Sequence, residues 1–514
     1  MEKTVSELEY LGMSGWEKFR YNFVAFFRKL PSAFKRFFTV LIPALALRFW
    51  CAFKGIFKTI AKSAKEGDWK TRLSFVIMGF GHLANMQILR GAMFLVFEVL
   101  FILYMVLFGG AQLALFSTLG KVETSAPGWH VDPVTGEEIY MDAQVGDNSL
   151  LVLLYGILTL IFIVAFIYAW YANIKSTYAA QQLKESKLHL PTAKEDLKSL
   201  LDGQYHKTLL AIPLLGLVIF TIFPLIFMVF IAFTNYDMNH MPPAHLFTWI
   251  GMENFKAVFS GGLSGGTQFG RVFGELLIWT VIWAFFATFT NYILGMVVAL
   301  MINKKGIKLK KLWRTVLIMT IAVPQFVSLL LMSQVLGDYG ILNSLLQKWG
   351  IISSPIQFLT NGKIAKVTVI VVNMWVGIPY TMLMVSGILM NIPADLYESA
   401  RIDGAGAFKQ YIKITLPYVW HVTTPALIST FVGNLNNFGV IYLLTGGGPT
   451  MSAAFSGGAG ETDLLITWLY KLIMDKKTYG VASVISILMF LITAIISLIV
   501  YNRSKAVQNE EDFM

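Results

Sequence analysis

Two apolar stretches of the chain carry neutral polar residues at helical spacing. Asn373, Gly377 and Tyr380 stand at i, i+4 and i+7 and so share one helix face; Thr430, Asn434 and Asn437 repeat the spacing one apolar stretch later. Pro379 has no amide hydrogen for the carbonyl of Trp375, which predicts a free backbone acceptor and a bend there. Amides, hydroxyls and an aromatic ring suit an uncharged polyol, because they exchange hydrogen bonds with its hydroxyls and cover its apolar face. The same groups also suit hydrogen bonds across packed helices, and the residues alone do not choose between the two.

A third stretch is polar and helix-prone, "YESARIDGAGAFKQYIKITLP", Tyr397 to Pro417. Pro393 and Asp395 suit a helix's first turn. The helix is expected to run through Leu396, Tyr397, Ser399 and Ala400 to about Asp403. Gly404, Ala405 and Gly406 then permit a sharp turn into a second short helix ending near "KITLP", with Pro417 starting the next element. Read by itself, this is a rigid, structured loop.

These residues must be positioned by a membrane protein. The chain has 514 residues, 56% hydrophobic and 14% charged, with a mean hydropathy of +0.63, too apolar for a soluble globular protein of this size. A membrane-crossing helix needs roughly 20 apolar residues. Eight uncharged runs meet that need: Val99–Gly120, Ser149–Ile174, Thr208–Tyr236, Leu276–Asn303, Thr315–Gly337, Val367–Ala394, a helix at about 418–444 within a longer run, and Thr478–Asn502. The expected fold is an all-α polytopic membrane protein. Of its 41 Lys and Arg residues, 32 fall on one side and 8 on the other, which places both termini inside. The net charge of +11 is then a cytoplasmic face meeting anionic membrane lipid, with no call for nucleic acid. The single Cys51 rules out an internal disulfide, and the start of the chain lacks the pattern of a cleavable signal peptide.

Residues 1–90 read as a basic, amphipathic cytoplasmic or interfacial region, with Trp16, Phe19, Phe23, Phe26, Phe27 and Leu30 on one helix face. Phe37–Leu47 is too short to cross and is expected to be interfacial or re-entrant. Residues 91–207 hold two spans joined by an acidic outer loop that reads as solvated surface. Glu98 is expected to snorkel to the inner interface. A tail occupies 506–514.

Chemistry-bearing motifs are sparse. No G-x-x-x-x-G-K-[ST] phosphate loop and no metal-ligand pattern occurs, and no cofactor is called for. Gly262-Leu263-Ser264-Gly265-Gly266 fits G-x-S-x-G formally, but in a glycine-rich loop rather than a strand-turn-helix. An ion-driven secondary transporter would need buried titratable groups, and an enzyme acting on lipid-linked sugars a catalytic carboxylate at the interface.

The spacing Glu398, Ser399, Ala400, then Gly404, then Ile414, Leu416 and Pro417 resembles the E-A-A…G…I-x-L-P signature of binding-protein-dependent ABC importer permeases, with Ser399 in place of the first Ala. "FPLIFMVFIAFTNY", "NMWVGIPY", "NIPADLYESARIDGAG" and "NLNNFGVIYLLTGGGP" narrow the likeness to the maltose/maltodextrin (MalF) type over roughly 208–505. The resemblance implies a MetI-like six-helix core in a prokaryotic plasma membrane, carrying maltose- or maltodextrin-type oligosaccharides, or another oligosaccharide. It implies partners: a second, MalG-like permease subunit, two ABC ATPase subunits that hydrolyse the ATP, and an extracytoplasmic sugar-binding protein. The loop 393–417, with Glu398, Ser399, Ala400, Asp403, Gly404, Ile414, Leu416 and Pro417, would dock on an ATPase. Asn373, Gly377, Tyr380, Thr430, Gly433, Asn434 and Asn437 would line the sugar cavity. The chain departs from the type at Gly433, where the maltose pattern has an aromatic, and in the short loop 235–274, where some members carry a large insertion.

Overall fold

The computed structural model describes residues 39–40, 42–121, 128–131, 136, 138–141, 147–260, 269–304, 306–451 and 457–502. The aromatic face of 16–30, the Gly262–Gly266 string and the tail lie outside them. Among the described residues six helices are long and apolar enough to cross a membrane, and two bent pairs raise the number to as many as eight. The chain divides after Asn254 into two compact units.

The first unit begins with α1, Ile42–Glu66, a single amphipathic helix exposing Phe49, Trp50, Phe53 and Phe57. Two crossing helices follow, α2 (Ile88–Ser117) and α3 (Ser149–Glu185), then α4 (Ala193–Leu201) and α5 (Tyr205–Ile231). A small antiparallel hairpin, β1 (Gly128–Val131) with β2 (Glu138–Met141), lies between α2 and α3. Between α1 and α2 the chain makes two short helices, Trp69–Leu73 and Phe80–Leu83, and the turn that joins them takes partners for its polar groups from neighbouring helices. Asn173 of α3 supplies both halves of its amide: Oδ1 accepts from Gly79 N at 2.9 Å and Nδ2 donates to Ser74 O at 2.9 Å. Glu98 does not reach outward as a snorkelling side chain would. It is buried in α2 and accepts the Met78 amide at 2.8 Å. Nor does α2 begin at Val99; it starts eleven residues earlier, and Glu98, the charge that bounded the uncharged run, is accommodated inside the helix by its hydrogen bond from Met78, while Arg90 pairs with Asp196 of α4. His82 is fully buried between Gln87 and Ser176, and that burial lowers its pKa below the ordinary histidine value.

The second unit is built on α6 (Phe269–Asn303) crossing α9 (Gly362–Met390), with α7 (Lys310–Ala322), α8 (Gln325–Val335), α10 (Ala394–Ile402), α11 (Ala407–Leu435), α12 (Phe438–Thr445), α13 (Leu465–Met474) and α14 (Tyr479–Asn502) around them. Small residues set the crossing: a Cβ on Gly295 would lie 2.6 Å from Thr381 Cβ. Two apolar clusters flank it, one around Trp283, Leu329, Val369 and Ile441, the other around Met296, Met382, Val385 and Val419.

Two expected straight spans are broken. α7 and α8 meet at 88°. Val323 is extended, at ψ 126°, because the residue before a proline is kept out of helical conformation, and Pro324 opens α8. α11 and α12 meet at 43° around Asn436. α9 remains unbroken through Pro379.

The return between α12 and α13 folds over a buried ion pair. Lys471 Nζ donates to Asp463 Oδ2 at 2.6 Å, and Gly460 N donates to the same oxygen at 2.7 Å. Gly447, at φ +82°, lies so close that a Cβ would be 1.9 Å from Asp463 Oδ1. Burial pushes the Asp463 carboxyl above its ordinary pKa, with Lys471 pulling it back. Lys471→Met should therefore cost about 3–5 kcal/mol, the scale for a buried charge left without its partner. A carboxyl raised in the folded state favours folding fully below its unfolded pKa, and that contribution is lost as pH rises through the folded value. Thermal melts in detergent should accordingly show the deficit of Lys471→Met against native chain shrinking as pH is lowered into the acid range; a deficit independent of pH would refute this account.

Candidate functional site

The second unit encloses a cavity of about 370 Å³ among α6, α7, α8, α9 and α11. Five of the seven residues read as sugar-facing line it: Asn373, Gly377, Tyr380, Thr430 and Asn434. Tyr380 and Trp375, both in the lining, are 66% and 54% exposed.

Asn437 and Gly433 are not in the lining. The break in the helix explains the first: Asn437 does not continue the face of Thr430 and Asn434 but caps α12, its Oδ1 accepting from Val440 N at 3.3 Å. Its Nδ2 donates to Asn434 Oδ1 at 3.2 Å, and Asn434 Nδ2 donates to Thr288 Oγ1 at 2.9 Å. Asn434 is thus held by a chain of hydrogen bonds that fixes the cavity wall. Around Gly433 the space is open.

The structure adds wall residues from elements not singled out in the sequence. Thr288 and Asn291 come from α6, Thr320 from α7, and Gln325 and Ser328 from α8 beyond the break. The signal for the α6 pair is in the sequence: Thr288, Asn291 and Gly295 fall at i, i+3 and i+7, one face of an otherwise apolar run. No lining residue carries a carboxylate, an ammonium or a guanidinium.

The polar loop forms a knob. α10 ends in a left-handed Gly404, φ +73°, with Gly404 N donating to Arg401 O at 3.0 Å and Ala405 N to Ala400 O at 2.8 Å. That double bond pattern is the glycine-closed helix end. A Cβ on Gly404 would meet nothing within 4 Å, so glycine is required by backbone conformation and not by crowding. Tyr397 Oη and Thr415 Oγ1 bond at 2.8 Å, and Tyr397, Tyr411, Ile414 and Leu416 pack on the Met296–Val419 cluster. Glu398, Ser399, Asp403 and Gly404 face outward, beside the exposed Ile402 and Phe408, while Ala400 is half-buried.

The second helix of the knob does not stop at "KITLP". It runs on without interruption as α11, and Pro417 stands within it. The widened π turn Tyr411–Thr415 accommodates the proline, which cannot donate to the Lys413 carbonyl.

Residues 291–508 match the family described as binding-protein-dependent transport system inner membrane component. The chain is 31% identical over 437 residues to the galactooligosaccharides transport system permease protein GanP of Bacillus subtilis strain 168, covering 85% of this chain and 97% of that protein. It is 32% identical over 458 residues to the maltodextrin transport system permease protein MalC of Streptococcus pneumoniae, covering 87% and 98%. With the maltodextrin transport system permease protein MdxF of Bacillus subtilis strain 168 it shares 34% over 450 residues, 86% and 97%.

Gly377 separates α9 from the Asn291 amide, with a hypothetical Cβ only 2.0 Å from Nδ2. Gly377→Ala should therefore displace Asn291 and lower stability by about 1–3 kcal/mol. Gly433→Ala, in open helical space, should be neutral or slightly stabilising. Paired thermal melts of the two purified variants check the contrast, and equal effects would contradict it.

Proposed function

The chain belongs to the family of binding-protein-dependent transport system inner membrane components, and from that membership we propose that it is the permease subunit passing maltodextrin-type oligosaccharides into a prokaryotic cell across its plasma membrane. It is a multi-pass membrane protein and a transport subunit, not an enzyme. The observation that carries the substrate class is the cavity lining: amides, hydroxyls and two exposed aromatic side chains with no charged group. Such a wall matches a neutral sugar, whose hydroxyls both donate and accept and whose ring faces stack.

In this reading the working core is 208–505, preceded by the basic region 1–90 and the two extra spans of 91–207. A second permease subunit completes the pathway, two ATPase subunits supply the energy, and an extracytoplasmic binding protein delivers the sugar. The knob 393–417 docks on an ATPase through Glu398, Ser399, Asp403 and Gly404, and Ile414, Leu416 and the half-buried Ala400 seat it on the core. ATP binding draws the knobs of the two permeases together and shifts the population toward an outward-open cavity; hydrolysis resets it. Thr430 and Asn434 feel that shift directly, because they lie on the helix that leaves the knob.

A galactooligosaccharide is the second reading. GanP is a relative of near-equal similarity, and a neutral lining suits a galactose-containing chain equally.

The test is ATP-dependent uptake of labelled maltodextrins and galactooligosaccharides by vesicles holding the assembled complex. Native chain should import the glucans. Gly404→Asn, which tolerates the left-handed conformation, should keep most uptake, whereas Gly404→Val should lose at least about tenfold through backbone strain. Import of galactooligosaccharides alone would replace the substrate assignment, and ATP-independent uptake would remove the importer reading altogether.

A further inference from the structure

Four aromatic side chains on α1 stand open. Phe49, Trp50, Phe53 and Phe57 are between 43% and 74% exposed. At i, i+1, i+4 and i+8 they fall on one face of the helix. Phe53 joins the other three, its ring centroid 6.5 Å from Phe49, 6.1 Å from Trp50 and 4.8 Å from Phe57. The rings therefore form one continuous strip.

A stripe of cations runs beside it. Lys54, Lys58, Lys62 and Lys65 recur at helical spacing, and Lys54 Nζ stands 5.4 Å from the centre of the Trp50 ring. Apart from these and Arg48, the one charged residue of α1 is Glu66, and it is already engaged: Tyr178 Oη of α3 donates to its Oε2 at 2.8 Å. Gln181 of α3 adds two more bonds, its Nε2 donating to Glu66 O at 3.2 Å and its Oε1 accepting from Asp68 N at 2.9 Å. α3 crosses the membrane, and these contacts lie between Lys175 and Lys184, the basic end of that helix and so its inner end. The bonds hold α1 beside the inner headgroups.

A soluble acidic partner would pair with the lysines and leave the rings in water. An anionic bilayer surface takes both, because Trp and Phe rings sink to the boundary between headgroup and acyl chain while lysine ammoniums meet phosphate. We propose that α1 is a phospholipid-binding helix, with Phe49, Trp50, Phe53 and Phe57 in the acyl boundary of the inner leaflet and Lys54 and Lys58 on the phosphates of anionic lipids. Its bonds to α3 then tie the first unit to the plane of the membrane. Whatever sugar the chain carries, this seat is the same.

The single cysteine of the chain supplies a reporter for the test. Cys51 is exposed and lies on the lysine side of α1, whereas Ala46, exposed and one turn before Trp50, lies on the ring side. The full chain is reconstituted with a nitroxide either on Cys51 or at 46, using Ala46→Cys with Cys51→Ser. Spin resonance then reads the access of each site to oxygen, which concentrates in hydrocarbon, and to a water-soluble nickel chelate. In vesicles of phosphatidylcholine with about 30% phosphatidylglycerol, the ratio of oxygen to nickel access should be about tenfold higher at 46 than at 51. In phosphatidylcholine alone, or after Lys54→Gln with Lys58→Gln, that contrast should shrink at least about threefold. Nickel reaching both sites alike would put the strip in water and overturn the proposal. A contrast indifferent both to lipid charge and to the lysine substitutions would remove the phosphate contacts, and the assignment to anionic lipid with them. Spin–spin broadening at 46 in every lipid would mean that a second copy covers the rings, and the membrane seat would be refuted.

Discussion

Everything in the second unit depends on how closely α6 and α9 approach. Glycines at 295 and 377 remove the atoms that would hold the helices apart, and a Cβ at either position would overlap its neighbour. Without water to compete, helices in a bilayer associate through such close packing and through hydrogen bonds between them. Two apolar clusters pack at the crossing, and the cavity lined by Asn291 and Asn373 lies against the same two helices. A polar cavity exists in an apolar protein because the backbone contact beneath it is secure.

The same constraint explains why non-helical backbone occurs where it does. In hydrocarbon, each amide and carbonyl needs a partner from the protein. The segment before α2 borrows Asn173, Glu98 and Trp170, the last donating to Phe75 O at 2.9 Å. The α11–α12 break is capped by Asn437. The return loop is closed by Thr462, which donates to Gly448 O at 2.7 Å, and by the Asp463–Lys471 pair. Polar residues in these spans divide into those that repair backbone and those that line the cavity.

That division marks the limit of what could be read from sequence. Spans and the knob were legible, because uncharged runs and a proline-to-glycine helix frame are local signals. Breaks were less so: Pro324 lies inside an uncharged run, and only the extended Val323 reveals the corner. Pro417 looked like a stop and is accommodated by a π turn. Glu98 looked like a boundary until its partner, the Met78 amide 20 residues earlier, was in view. Asn437 shares a spacing with Thr430 and Asn434, yet spacing assumes an unbroken helix. Asn291 was overlooked for the opposite reason: one amide in a long apolar stretch carries meaning only when α9 brings a glycine against it.

The continuity of α11 has a mechanical consequence. From Ala407 in the knob to Leu435 beside the cavity there is one rod of 29 residues, about 43 Å at the helical rise. The π turn Tyr411–Thr415 and Pro425 lie within it without breaking it, so its two ends stay connected by continuous helix. In the transport reading proposed above, Tyr292, which meets Thr423 at 2.8 Å near the middle of α11, would be the point about which a push on the knob swings Thr430 and Asn434 the other way. The ratio of the two arms is then set by where along the rod Thr423 falls, a quantity written in the count of residues on either side.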